Sequence, residues 1–161
     1  MEGVWGAGVW GEIYATLRAE FADVPDAKEL TRILLRLTLA ILLGGLIGYE
    51  RETAGKPAGL RTHMLVAMGS ALFVLVPLQA GVPLPDMSRV LQGLMSGIGF
   101  LGAGAIIKLN SEEDVRGLTT AASIWTVAAI GVACGLGRES TAVIATLFGL
   151  TILQLLYRVK K

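Results

Sequence analysis

Two short polar segments concentrate the side chains of this chain that could do chemistry. The first runs from Tyr49 to His63 and carries Glu50, Arg51, Glu52, Lys56, Arg61, Thr62 and His63 around Gly55, Pro57 and Gly59. The second runs from Lys108 to Trp125 and carries Glu112, Glu113, Asp114, Arg116, Thr119, Thr120, Ser123 and Trp125. Carboxylates beside guanidinium groups make charge-assisted hydrogen bonds, hydroxyls bond between helices, and a histidine titrates near neutral pH. No catalytic set is visible: there is no Ser/His/Asp grouping, no pair of acids at helical spacing and no H-E-x-x-H. An enzyme is not expected.

Each of these groups also has a structural reading. Glu50 and Glu52 close an apolar helix, where the macrodipole disfavours negative charge, so they call for cationic partners, with Arg51 and Arg61 nearest. The hinge is then a structured, partly buried network, the alternative being a solvated turn that sets topology. His63, the only histidine, opens a helix as a capping or hydrogen-bonding group, or else relays protons. The acids 112–114 attract a hard divalent cation, or simply start a helix capped by Ser111. No cofactor is expected; magnesium would be one such hard cation, and any metal site stays unknown. Thr119 and Ser123 are four apart on one face at a helix start, and Trp125 either anchors at an interface or packs inside.

The elements that position these groups are apolar. Of 161 residues 53% are apolar and 17% charged, against about 25% charged in a soluble domain, and mean hydropathy is +0.65. Five stretches of about 17 to 19 residues, Ile33–Tyr49, Met64–Val82, Val90–Ile107, Leu118–Leu136 and Ser140–Tyr157, approach the length that crosses a bilayer core. Backbone polar groups have no water to bond there, so these are helices. The expectation is an all-α polytopic membrane protein with five transmembrane helices and one N-terminal amphipathic interfacial helix.

Trp10, Ile13, Tyr14, Leu17, Phe21 and Val24 recur at three- and four-residue spacing opposite Glu12, Arg18, Glu20 and Asp23. Such a helix lies in the interface plane or packs on the bundle rim. Residues 1–29 form this segment and 30–161 the membrane domain, with Asp26 and Glu29 as a capping box opening the first span. No cleavable signal peptide is expected, since acids and glycines occupy the place of an apolar core. Eight Lys and Arg fall on the side of the first and third hinges and the tail, five on the other. This bias puts the N-terminus outside and the C-terminus in the cytoplasm. A net charge of +1 gives no reason to expect nucleic acid, and the single Cys134 excludes an intrachain disulfide.

Glycines shape the spans. Gly44 and Gly48, Gly93 and Gly97, and Gly131 and Gly135 are each four apart, the spacing that lets helices approach closely in lipid. This predicts the first, third and fourth spans as the tightly packed centre. Gly97, Gly99 and Gly102 match G-x-G-x-x-G, but no strand precedes them and no nucleotide site follows. With Gly104 they make either an ordinary close-packed helix or a locally unwound one whose carbonyls face a cavity. Arg36, one turn inside the first span, is expected to snorkel outward, because the spans offer no buried acid.

The residues resemble the membrane domain of the MgtC/SapB family of bacterial proteins. Gly48-Tyr49-Glu50-Arg51-Glu52, Ala58 to Val66, Gly97 to Gly104, and Val115 to Ala122 with Trp125 carry the likeness in the same order over residues 30 to 158. It implies a five-span protein of the bacterial plasma (inner) membrane, magnesium homeostasis with adaptation to low magnesium, and virulence through survival inside host cells in pathogens. Control of the membrane ATP synthase has been proposed for some members. Virulence-linked members carry a soluble domain after the last span, whereas this sequence stops at Lys161 and is expected to hold the membrane domain only. Some members have Asn at the place of His63. The expected function is non-enzymatic, through helix contacts within a homo-oligomer, dimer or higher, or with another membrane protein. The alternative is a small oligomeric cation transporter or channel whose path is lined by the glycine-rich third span, gated by Glu50, Arg61 and Thr119.

Overall fold

A computed structural model describes residues 7–22, 26–108 and 115–159. Among these residues six α-helices follow one another: α1 Ala7–Glu20, α2 Ala27–Thr53, α3 Leu60–Gln79, α4 Met87–Ala105, α5 Leu118–Gly135 and α6 Glu139–Val159. Strand β1, Ile107–Lys108, pairs antiparallel with β2, Val115–Arg116, with Ile107 opposite Arg116 and Lys108 opposite Val115. The chain divides into two compact units, Met1–Leu34 and Leu35–Lys161.

In the first unit α1 leaves Trp10, Tyr14 and Leu17 exposed, with Phe21 just beyond its end equally so. Asp26 Oδ1 accepts from the Glu29 amide at 2.7 Å, half of the expected capping box. The Glu29 carboxylate turns to Arg32 instead of closing the box.

The second unit holds α2 from Leu35 onward and all of α3 to α6, and these five helices occupy the five apolar stretches. Three of them, α2, α3 and α5, are long and apolar enough to cross a membrane. Arg89, Gln92 and five glycines lower the hydropathy of α4, and the described apolar part of α6, Glu139–Gln154, is shorter. Helix α4 runs through Gly97, Gly99, Gly102 and Gly104 without interruption, so the unwound alternative does not occur.

The first and fourth spans, α2 and α5, pack closely as glycine spacing predicts, but they do so on α3 and not on α4, a correction to the expectation for the third span. A Cβ on Gly44 would sit 2.7 Å from Ala67 Cβ, and one on Gly48 2.8 Å from Leu60 Cα, both on α3. From the other side, a Cβ on Gly131 would meet Ala67 O at 2.2 Å and one on Gly135 would meet Ala71 O at 2.7 Å. Two glycine-bearing helices thus clasp α3, whose own contribution is Ala67, Ser70 and Ala71. By contrast Gly93, Gly97, Gly99 and Gly104 of α4 would meet nothing within 4 Å, and Gly102 meets only Ala121 Cβ at 3.7 Å. Around the clasp, Leu43, Ile47, Val127, Ile130 and Cys134 complete a buried apolar cluster.

Helices α2, α3 and α5 end alike. Lys56, Val82 and Arg138 amides bond back to Arg51, Pro77 and Ala133 carbonyls, with left-handed Gly55, Gly81 and Gly137 just before. This is the Schellman arrangement, which satisfies carbonyls the helix leaves open.

Arg36 does not snorkel. Its Nη1 donates to Gly135 O at 3.0 Å, and its Nε lies 3.8 Å from Glu139 Oε1. A cation at the C-terminal end of α5 meets the negative end of that helix's dipole, and the acid is the first residue of α6, just outside the fifth apolar stretch.

Candidate functional site

The inner face of α2 is the stripe Leu43, Gly44, Ile47, Gly48 and Arg51. Arg51 occupies the next inward position of an otherwise apolar and small stripe, so the helix itself carries it inside, where it is 2% exposed. Its Nε and Nη2 both donate to the Glu50 carboxylate, Nη2 at 2.6 Å from Oε1. A buried guanidinium is thereby neutralised by its own neighbour, in the two-pronged geometry that suits arginine.

Glu52 solves its position differently. Its Oε2 accepts from the Leu60 amide at 2.8 Å, so the carboxylate that closes α2 caps the start of α3. Gly59 supplies no side-chain cap there, and a Cβ on it would lie 2.6 Å from that same oxygen. The unfavourable dipole at one helix end is offset by the favourable one at the next. Arg61, the other cation expected to serve these acids, is exposed and joins none of the ion pairs among the described residues, and Thr62 is exposed beside it.

His63 is fully buried at the crossing of α3 and α5. Its Nδ1 lies 2.9 Å from Gly59 O and its Nε2 3.0 Å from Ser123 Oγ, while that hydroxyl also lies 2.8 Å from Thr120 O. A carbonyl can only accept, so Nδ1 carries the hydrogen and a neutral ring accepts at Nε2. The Ser123 hydroxyl then has one proton and two acceptors, Nε2 and Thr120 O. It turns to the ring when the imidazole is neutral and to the carbonyl when Nε2 is protonated. Thr120, not Thr119, shares the buried face with Ser123, because Thr120 is 2% exposed and Thr119 faces out. That corrects the pairing expected from four-residue spacing.

Arg51, Gly55, Lys56 and Pro57 line a cavity of about 700 Å³ with Arg116, Gly117, Thr119 and Thr120, and Ile152 and Leu153 form its apolar wall. Helix α5 enters it through Gly117, whose φ of +95° and a would-be Cβ 2.0 Å from Ala105 O leave no room for another residue. Helix α5 starts at Leu118 with no acid in its first turn, so the run 112–114 does not open it; Ser111 and those acids lie outside the described residues. Among the described residues no three His, Cys, Asp or Glu side chains converge. Trp125 is half exposed and lines a separate apolar groove with Leu94, Met95 and Ile98 of α4.

The structure joins Arg51 to Glu50 at the first hinge, and His63 to Ser123, whose hydroxyl also meets Thr120 O, where α3 and α5 cross. Sequence spacing missed the Arg36–Glu139 contact and the role of α3, although Ala67 and Ala71, four apart, carried the small-residue signal.

Small-residue clasps, a buried polar crossing and helices of membrane-crossing length define a helical membrane protein. The chain belongs to the MgtC family, whose profile matches residues 37–161. It is 47% identical over 130 residues to Protein SrpB of Synechococcus elongatus, covering 74% of this chain and 71% of that one. To Protein MgtC of Brucella abortus it is 48% identical over 130 residues, 80% of this chain and 53% of the relative. To Protein MgtC of Salmonella typhimurium it is 47% identical over 114 residues, 71% of this chain and 48% of the relative. The chain thus spans about half the length of these MgtC relatives. No solved structure matches.

Proposed function

We propose that this protein is a non-enzymatic component of the bacterial inner membrane that acts through helix contacts, with itself or another membrane protein, and supports growth when magnesium is scarce. In a pathogen the same role would serve survival inside host cells. In this reading α2 to α6 all cross the bilayer, the N-terminus lies outside, the C-terminus lies in the cytoplasm, and α1 rests in the interface. Exposed Leu65, Phe73, Phe100 and Phe148 suit a lipid solvent better than water. Sidedness is supported by the cavity, which gathers the first hinge, the third hinge and the later part of α6, the segments whose basic residues set the orientation.

The observation that carries the reading is the unpartnered face of α4. Gly93, Gly97 and Gly104 fall on one side of that helix, with Phe100 among them 79% exposed, and nothing among the described residues packs there. Glycines cost helix stability, roughly 1 kcal/mol each, and repay it where another backbone comes close. Leucine at Gly93 and Gly97 is expected to leave folding intact and to abolish crosslinked homo-oligomers and co-purified partners in native membranes. Unchanged crosslinking and co-purification would remove the proposal. A cation path has less support, since the cavity is lined by Arg51, Lys56 and Arg116 and by no residue of α4.

A further inference from the structure

We infer that a second copy of this chain covers the open face of α4, with its own α4 lying parallel across a two-fold axis. The inference rests on the reading that α4 crosses the bilayer and acts through helix contacts, and it names the partner. Beside its glycines that face carries four polar side chains, Asp86, Arg89, Gln92 and Ser96. They follow one another at three- and four-residue spacing, which keeps them on one side of the helix. All four are exposed, and none has a side-chain hydrogen bond or ion pair among the described residues. Asp86 precedes the helix without capping it.

Lipid does not satisfy such groups. Helix α4 begins at Met87, so Gln92 stands about 7.5 Å and Ser96 about 13.5 Å along it, the second near the middle of its 19 residues. A carboxamide facing hydrocarbon leaves two donors and an acceptor unmet, which is costly, whereas across a helix contact they bond.

The face is also complementary to itself. Copies of one membrane protein share one sidedness, so a two-fold axis along the bilayer normal sets equal residues at equal depth. Gln92 then meets its counterpart in the second copy, and a carboxamide both donates and accepts. Asp86 and Arg89 carry opposite charges about 4.5 Å apart along the helix, so each reaches the other's counterpart and the axis repeats the pair. Gly93 and Gly97 meet nothing within 4 Å and leave room for the backbone approach that brings the short Ser96 side chains together. A different protein would have to supply acid, base and amide in matching register; a second copy has them already.

The test uses the full chain carrying C134A in native membranes. S96C is expected to form a disulfide-linked dimer on mild oxidation. L101C, at similar depth and half exposed but turned about 140° around the helix, is expected not to. D86R or R89D alone brings four like charges together and is expected to lower the yield of S96C dimer about tenfold. Coexpression of the two variants should restore it as a mixed dimer, since each arginine then faces an aspartate; a variant that merely misfolds could not be rescued in this way. Absence of the S96C dimer, equal crosslinking by L101C, or failure of the mixed dimer to form overturns the inference. Loss of co-purified protein in the Gly93 and Gly97 leucine variants alongside any of these results keeps the broader reading, with another protein on the face.

Discussion

Replacing Gly131 by leucine is expected to abolish folded, detergent-stable protein. Even the first added carbon would stand 2.2 Å from Ala67 O and 2.9 Å from Ser70 Cβ, both on α3. A carbonyl on a helix already clasped by α2 cannot give way, so α5 must withdraw along its length. That separation opens the cluster of Ala67, Ala71, Val127, Ile130 and Cys134 and draws Ser123 away from His63. Overpacking of a close-packed interior costs about 1–3 kcal/mol and sometimes more, and here the interhelix bond is lost as well. A loss of about 3 kcal/mol or greater should appear as aggregation in size-exclusion profiles at temperatures where the parent is monodisperse. A G131L variant that keeps the parent's profile and melting temperature would show that α5 does not lie against α3 as described.

The contrast between Gly131 and Gly93 shows how much the sequence could say. Glycine at four-residue spacing is a local signal that a helix face invites close approach, and it is the same signal in both places. Which partner accepts the invitation is decided by the rest of the bundle. Gly44, Gly48, Gly131 and Gly135 are taken up by α3, while Gly93 and Gly97 are left open. Hydropathy likewise placed five helices, since long apolar runs have no other way to satisfy their backbone. It could not place their ends: α2 runs from Ala27 to Thr53, several residues beyond the apolar run at each end, because charged residues at the ends are compatible with helix.

The site was legible where its contacts follow from periodicity and obscure where they cross loops. Arg51 continues the inward stripe of α2, so its burial was available from spacing. Glu52 capping α3 depends on a turn that brings residue 60 back over residue 52, and nothing local encodes that. The Arg36 contact with Gly135 joins residues 99 apart and rests on the packing of whole helices.

Arg51→Leu is the second change expected to have a large effect. Arg51 is 2% exposed and the Glu50 side chain 12%, so removing the guanidinium leaves a carboxylate with little water and without the cation bonded to it. Breaking one side of a buried pair costs about 3–5 kcal/mol, most of it the penalty of the abandoned charge. Since Glu50 keeps some exposure, the lower end of about 3 kcal/mol is expected. The double variant Glu50→Gln with Arg51→Leu removes that abandoned charge and should recover part of the loss. Thermal melts of the two variants in the same detergent decide the matter: a single variant as stable as the double would mean that the pair is not buried.

The whole account rests on five helices threading a bilayer, with both hinges and the tail on the cytoplasmic face. Cysteine placed singly at Lys56, Asp86, Arg138 and Arg158, in a background with Cys134 replaced by alanine, reads this out in intact cells with a membrane-impermeant maleimide. Asp86 and Arg138 should label from outside, and Lys56 and Arg158 only after lysis. Labelling of Lys56 in intact cells, or of all four positions alike, would contradict it.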